Sequence, residues 1–172
     1  EHNIPNTHKP IQRVSLKPAR PAATPEALNA IQEAQIIVLG PGSLYTSIIP
    51  NLLIEDIANA IAASKATKIY VCNIMTQPGE TDNYSASEHI KIIISHSHPR
   101  VFDYCIVNNG EIPQEVLKRY EGQGSVPVVN DAKVIEEMGY RAIEDDIAVT
   151  DGLVRHDPEK LARVILGLVE EI

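Results

Sequence analysis

The side chains best suited to chemistry fall in three short stretches. The first is Gly40-Pro41-Gly42-Ser43, with Thr46 and Ser47 close behind. Glycine opens backbone conformations closed to other residues and lets a ligand approach the main chain. Hydroxyls and free N–H groups where a helix begins suit an anion, most often phosphate. An ordinary strand-to-helix turn uses the same residue types, so both readings stand on local pattern. The second stretch is residues 73–82, NIMTQPGETD. An amide such as Asn73, or Asn108 further on, can read donors and acceptors of a base or sugar. Thr76, Glu80, Thr81 and Asp82 suit ribose or sugar hydroxyls or a metal; the alternative is a hydrogen-bonded loop whose carboxylates cap the next helix. The third stretch is residues 151–157, DGLVRHD. Arg155 there can clamp a diphosphate through its planar guanidinium, or make a surface ion pair. Tyr120, ahead of a Gly-rich loop, offers a ring for stacking on a base, or packs at a core edge.

Other chemistries lack their residues. His89, His96 and His98 are not spaced with a cysteine or carboxylate as zinc ligands are, so no metal site is assigned. No Gly-x-Ser-x-Gly elbow or Cys–His pairing is present, which argues against nucleophilic hydrolysis. No Gly-Lys-Ser/Thr ending of a phosphate loop occurs either.

These stretches need elements to position them. Ile36–Leu39 is a run of large apolar residues that fits a strand covered on both faces, as in a parallel sheet. Residues 68–73 and Tyr104–Asn108 read as further buried strands. Residues 11–17 alternate apolar and polar side chains and read as a half-exposed strand. Residues 126–129 read as a short edge strand carrying a proline, and residues 142–149 as another strand. Thr24-Pro25-Glu26 starts a helix over residues 27–34. A short turn around Pro50 should precede a helix over Glu55–Ala63. Ser85 and Glu88 stand at capping-box spacing for a helix over residues 85–96. Residues 113–120 and 132–138 are helical, Gly139 ending the latter. Pro158–Glu170 closes the chain with Asp157 as its N-cap. Strands alternating with helices imply right-handed crossovers and a mostly parallel sheet. The expected fold is a Rossmann-like α/β protein, a three-layer αβα sandwich forming one domain over residues 1–172. The loops after Leu39, Asn73 and Asn108 then share one sheet edge and converge on one crevice.

Composition narrows the partners. The chain has 172 residues, 44% hydrophobic and 4% aromatic without tryptophan, so Ile, Val, Leu and Ala must build the core. A net charge of -8 and a pI near 5.2 argue against nucleic acid, whose phosphates need clustered Lys and Arg. Cys72 and Cys105 sit in apolar runs and read as buried free thiols, which suits the cytoplasm. No apolar run is long enough to span a membrane, and no signal peptide is seen. The chain opens on a polar segment, residues 1–10, without an initiator Met, as a fragment or processed protein would.

Taken together, GPGSLYTS at residues 40–47, PNLL at 50–53, CNIMTQ at 72–77 and GETD at 79–82 resemble the CofD/YvcK family. NIMTQPGETDNYSASEH and LVRHD are closer to its gluconeogenesis factor branch. The likeness runs from about residue 11 onward. It implies a Rossmann-like fold binding a nucleotide-linked ligand. In the gluconeogenesis factor branch that ligand is a UDP-sugar such as UDP-N-acetylglucosamine, and the role is regulation of carbon metabolism and cell-wall synthesis. In the 2-phospho-L-lactate transferase branch, a phospholactyl-type group moves from a nucleotide diphosphate donor to a deazaflavin, assisted by a divalent metal such as Mg2+. A structural or oligomerisation domain, forming a homo-oligomer, is the third reading. The motif match puts Gly40, Pro41, Gly42, Ser43, Thr46 and Ser47 against the diphosphate. Asn73 and Thr76 line the same crevice, and Tyr120 and Arg155 contact the nucleotide-sugar. The family's usual Gly-Gly-Gly-Thr-Gly and Asp-Asp-Gly-Gly-Ser stretches are absent, so the chain resembles the C-terminal part of such a protein.

Overall fold

Four short runs, the first three rich in β-branched and aromatic residues, pair edge to edge. They are β1 (Ile36–Leu39), β2 (Thr67–Val71), β3 (Tyr104–Asn108) and β4 (Arg141–Asp145). The order is β1-β2-β3-β4 and every pairing is parallel, with Val38 opposite Ile69, Ile69 opposite Tyr104 and Cys105 opposite Ala142. The computed structural model describes Ile4 and residues 9–170, Glu170 by its backbone alone. Most of the opening segment, residues 1–10, therefore lies outside the described residues.

Alternation along β2 and β3 sends successive side chains to opposite faces. Tyr70, Cys72, Cys105 and Val107 enter one core. On that face pack α1 (Pro25–Glu33), α2 (Ile49–Leu52), α3 (Glu55–Ala63), α4 (Ala86–His96) and α6 (Ala132–Glu137), through residues such as Ile31, Leu52, Ile61, Ile90 and Ile135. Ile69, Val71 and Ile106 face a second core, closed by Val116 of α5 (Gln114–Leu117) and by Leu161 and Leu168 of α7 (Pro158–Glu170). The architecture is the expected αβα sandwich.

Helix starts follow their caps. Thr24 accepts from the Ala27 N–H at 3.3 Å, with Pro25 at the first helical position. Ser85 and Glu88 form the reciprocal capping box, the Ser85 N–H donating to Glu88 at 2.7 Å. Asp157 accepts from the N–H groups of Glu159 and Lys160 at 2.9 and 3.1 Å. Gly139, at φ +92°, ends α6.

Four expectations need correction. Residues 11–17 form no strand; they run irregularly over the first core, packing Ile11 and Val14 into it. The Val14 N–H is satisfied by His96 Nε2 at 3.3 Å rather than by a neighbouring strand. Residues 126–129 make only isolated bridges, Met75 with Pro127 and Ser85 with Val129, since proline has no N–H to extend a ladder. Residues 142–149 split into β4 and the two-residue β5 (Ala148–Val149), which pairs antiparallel with β6 (Arg155–His156). Finally, β1 is not covered on both faces. It is an edge strand among the described residues, α7 packs under β2 instead, and Val38 stays 39% exposed.

Candidate functional site

All four strands point their carboxyl ends to one edge, where loops gather in an open α/β sheet. β1 stops at Gly40, whose φ of +88° favours glycine. A Cβ there would lie 3.1 Å from the Val71 carbonyl oxygen, so the loop passes tightly over the end of β2. The chain then enters a π-helical turn, Leu44–Ile48. Ser43 precedes that turn but does not cap it: its hydroxyl donates to the buried Glu80 carboxylate at 2.6 Å. This bond ties the loop after β1 to the loop after β2.

Between these loops lies a cleft of about 350 Å³. Pro41, Gly42, Ser43, Asn73, Arg155 and His156 line it. Three stretches far apart in the chain thus come together here. Arg155 comes from far along the chain, on the ribbon β5–β6. Its exposed guanidinium makes no ion pair or hydrogen bond among the described residues, leaving the charge for an anion. His156 is fixed by its ring: Nε2–H donates to the Cys72 carbonyl at 3.1 Å. Burial lowers the His156 pKa, the Cys72 bond opposing in part, which keeps the ring neutral.

A second cavity, about 340 Å³, adjoins the first and shares Asn73 and Ile74 with it. It lies at the ends of β3 and β4, among Asn108, Asn109, Asn130 and Glu144. The loops after Leu39, Asn73 and Asn108 therefore do converge. A larger space of about 610 Å³ lies elsewhere, against residues 13–22 and α3. Its lining mixes Arg13 and Arg20 with Glu55 and Asp56 and is remote from the strand ends, so the two edge cavities make the better site.

Several expected residues serve the scaffold instead. Thr76 is buried: its Oγ accepts from the Val126 N–H at 2.9 Å, and its carbonyl accepts from Ser125 Oγ at 2.6 Å. Asn108 donates to the Gly110 carbonyl and accepts from the Ile147 N–H, bracing the edge with both ends of its amide. Asp82 accepts from the Gly79 N–H and closes its own turn. Thr46 and Ser47 lie on the π-helical turn outside the cleft lining; Thr46 Oγ is buried without a hydrogen-bond partner among the described residues, and the Ser47 carbonyl accepts from Asn51. Gly40 shapes the loop rather than lining the cleft. Tyr120 does not offer its ring to the cleft. It packs against the second core, and its hydroxyl accepts from the Val154 N–H at 2.8 Å, one residue before Arg155. Arg119 adds a bond to the Gly152 carbonyl.

Behind the Ser43–Glu80 bond lies a buried polar layer. Tyr45 and Tyr84 share a hydrogen bond at 3.0 Å, and burial, then Tyr84, raises the Tyr45 pKa. His89 is fully buried; Nδ1–H donates to the Ser85 carbonyl at 2.8 Å, Nε2 has no hydrogen-bond partner among the described residues, and burial lowers its pKa. Burial raises both cysteine thiols, Cys72 to about 12, so neither is a nucleophile. Among the described residues no three His, Cys, Asp or Glu groups converge, so they offer no three-ligand cradle for Mg2+. No described helix is long and apolar enough to cross a membrane.

Sequence reasoning did not name His156 as a site residue, although it noted the residue beside Arg155 in the segment before the last helix. It missed Glu144 and Asn130 because reading residues 142–149 as one strand hid the end of β4.

Known proteins carry the same framework. The profile of the family described as 2-phospho-L-lactate transferase CofD matches residues 1–148. A relative from Thermoanaerobacterium thermosulfurigenes is 49% identical over 162 residues, covering 94% of this chain and 50% of its own length. The gluconeogenesis factor of Bacillus subtilis is 40% identical over 172 residues, covering 99% of this chain and 54% of its own. A crystal structure of a UPF0052 family protein from Bacillus halodurans superposes with a TM-score of 0.92 at 39% identity, covering 96% of this chain and 53% of that one. The chain thus spans about half the length of these relatives. On the profile match and these identities, the chain belongs to the CofD family.

Proposed function

We propose that the protein binds a nucleotide-sugar of the UDP-N-acetylglucosamine type at the carboxyl edge of its sheet, and so regulates carbon metabolism and cell-wall synthesis. One observation carries the reading. The unpaired Arg155 guanidinium shares a cleft with the Pro41–Gly42–Ser43 loop and Asn73, and that cleft adjoins a second cavity whose lining holds no cation. A ligand with an anion at one end and a polar neutral ring at the other fits such a pair. The similarity to gluconeogenesis factors supports the regulatory role. Titration calorimetry on the full-length protein with UDP-N-acetylglucosamine tests it. Saturable binding is expected, weakened about 10- to 100-fold by Arg155→Ala, the range for losing a charged hydrogen bond. Absence of saturable heat overturns the reading.

The family's transferase description favours a second reading, in which the same cleft holds a nucleotide diphosphate donor. A single-turnover assay with labelled donor, a deazaflavin acceptor and Mg2+ separates the two. Product formation would replace regulation with group transfer.

A further inference from the structure

The two edge cavities differ in charge. The first holds the free Arg155 guanidinium. In the second, Glu144 is the only ionisable group among the lining residues, and no cation accompanies it. An anion placed there would meet a carboxylate with no compensating charge, at a cost that grows as water is displaced. A carboxylate is acceptor-only, so it selects a neutral partner that donates.

Glu144 is also held in place. Its Oε1 accepts from Asn130 Nδ2 at 2.7 Å, and Asn130 Oδ1 accepts from the Ala132 N–H at 3.1 Å. Both ends of the Asn130 amide are thus committed, which fixes the carboxylate. Oε2 makes no hydrogen bond among the described residues. Ile74, Ile112, Leu117 and Val128 line the same cavity with apolar side chains. Apolar lining beside a fixed acceptor suits a sugar ring, which has a C–H face and a hydroxyl rim. A uracil edge suits it less, because its N–H lies between two carbonyl oxygens that would oppose the carboxylate.

We infer that the cavity at the ends of β3 and β4 takes a sugar ring of the ligand, with Glu144 accepting from a vicinal pair of hydroxyls while Arg155 holds the anionic part next door. This rests on the nucleotide-sugar reading and gives the ligand its direction along the edge. Ribose and hexose both carry such a diol.

The test is calorimetry on the full-length protein and its Glu144→Gln variant, with UDP-N-acetylglucosamine and with UDP. Glutamine keeps the size and one acceptor for Asn130, but its NH2 cannot accept a hydroxyl. Glu144 is exposed, so the unliganded variant should melt as the parent does. The expected result is a Kd for UDP-N-acetylglucosamine raised about tenfold or more in the variant. An equal loss with UDP assigns the ribose diol; a loss confined to the sugar nucleotide assigns the hexose. Unchanged affinity for both ligands overturns the inference and leaves the nucleotide-sugar reading standing. If the parent binds neither ligand, that reading falls and the inference with it.

Discussion

Tyr120→Phe separates two roles that one side chain could hold. The hydroxyl accepts from the Val154 N–H at 2.8 Å, and the ring packs on the second core. Phenylalanine keeps the ring and removes the acceptor, so a half-buried N–H loses its partner. Such a loss costs about 0.5–1.5 kcal/mol. Val154 directly precedes Arg155, so the cost falls on the segment that carries the guanidinium into the cleft. If about 1 kcal/mol goes into displacing the segment that holds Arg155 in place, the Kd for a nucleotide-sugar rises by at most about fivefold. Calorimetry should show that modest loss, against the larger loss in Arg155→Ala, with the melting temperature lowered by no more than about 2–4 °C. Tyr120→Ala also empties ring volume and should lower stability by a few kcal/mol, since removing a packed aromatic costs about 3–5 kcal/mol when fully buried. The reasoning is refuted if Tyr120→Phe binds like the parent while Tyr120→Ala loses affinity without losing stability. The ring would then touch the ligand itself, as the sequence suggested.

Four further outcomes follow from the scaffold. His89 and His156 are held below the usual imidazole pKa by burial, so the unfolded chain takes up their protons first as pH falls. Stability should therefore be level above about pH 7 and decline below about 6.5, by at most about 1.4 kcal/mol per pH unit for each group; urea unfolding at pH 7.5, 6.5 and 5.5 measures it, and a flat profile contradicts the assignment. For Asp131, burial raises the carboxyl but hydrogen bonds from Ser87 and Ser85 outweigh it, so its contribution is present above the usual carboxyl pKa and disappears as pH falls through its lowered one. Ser85→Ala removes the cap of α4 and should cost about 1 kcal/mol, lowering the melting temperature by about 2–4 °C. Gly40→Ala forces a Cβ onto a left-handed backbone and against the Val71 carbonyl, and should cost about 1–2 kcal/mol or more by the same unfolding assay.

The strands and helix starts were legible because their signals are local. IIVL, KIYVC and YCIVN declare buried strands by β-branched content, and Thr24, Ser85 and Asp157 each cap the helix they promised. Residues 11–17 misled because alternation measures amphipathicity alone; whether a neighbour offers a free edge is a tertiary fact. The same limit hid the exposed flank of β1, since Ile36–Leu39 looks equally apolar with or without a cover on Val38. At the site, the pattern named Gly42, Ser43, Asn73 and Arg155, which line one cleft. It could not tell a polar group facing a ligand from one facing its own backbone. Thr76 and Asn108 are the second kind, and only their partners reveal it.

The route by which Arg155 reaches the cleft follows from the order of the sheet. Strands laid down as β1-β2-β3-β4, all parallel, send right-handed crossovers to the same face each time. The first core accordingly collects α2, α3, α4 and α6. The opposite face, with Ile69, Val71 and Ile106, must be covered by other segments. Within the crossover from β3 to β4 only the short α5 turns to that side, so α7 supplies the rest of the cover. To place α7 under β2, the chain after β4 has to travel back beneath the sheet, and residues 154–156 come up at the end of β2 just before the helix begins. The Nε2–H of His156 meets the Cys72 carbonyl there, and Arg155 beside it reaches the loop from β1. Burying the second face and delivering a cation to the strand ends are thus accomplished by one segment. A substitution that unseats α7, such as Leu161→Ala or Leu168→Ala, should therefore weaken ligand binding as well as stability, although neither side chain lines the cleft.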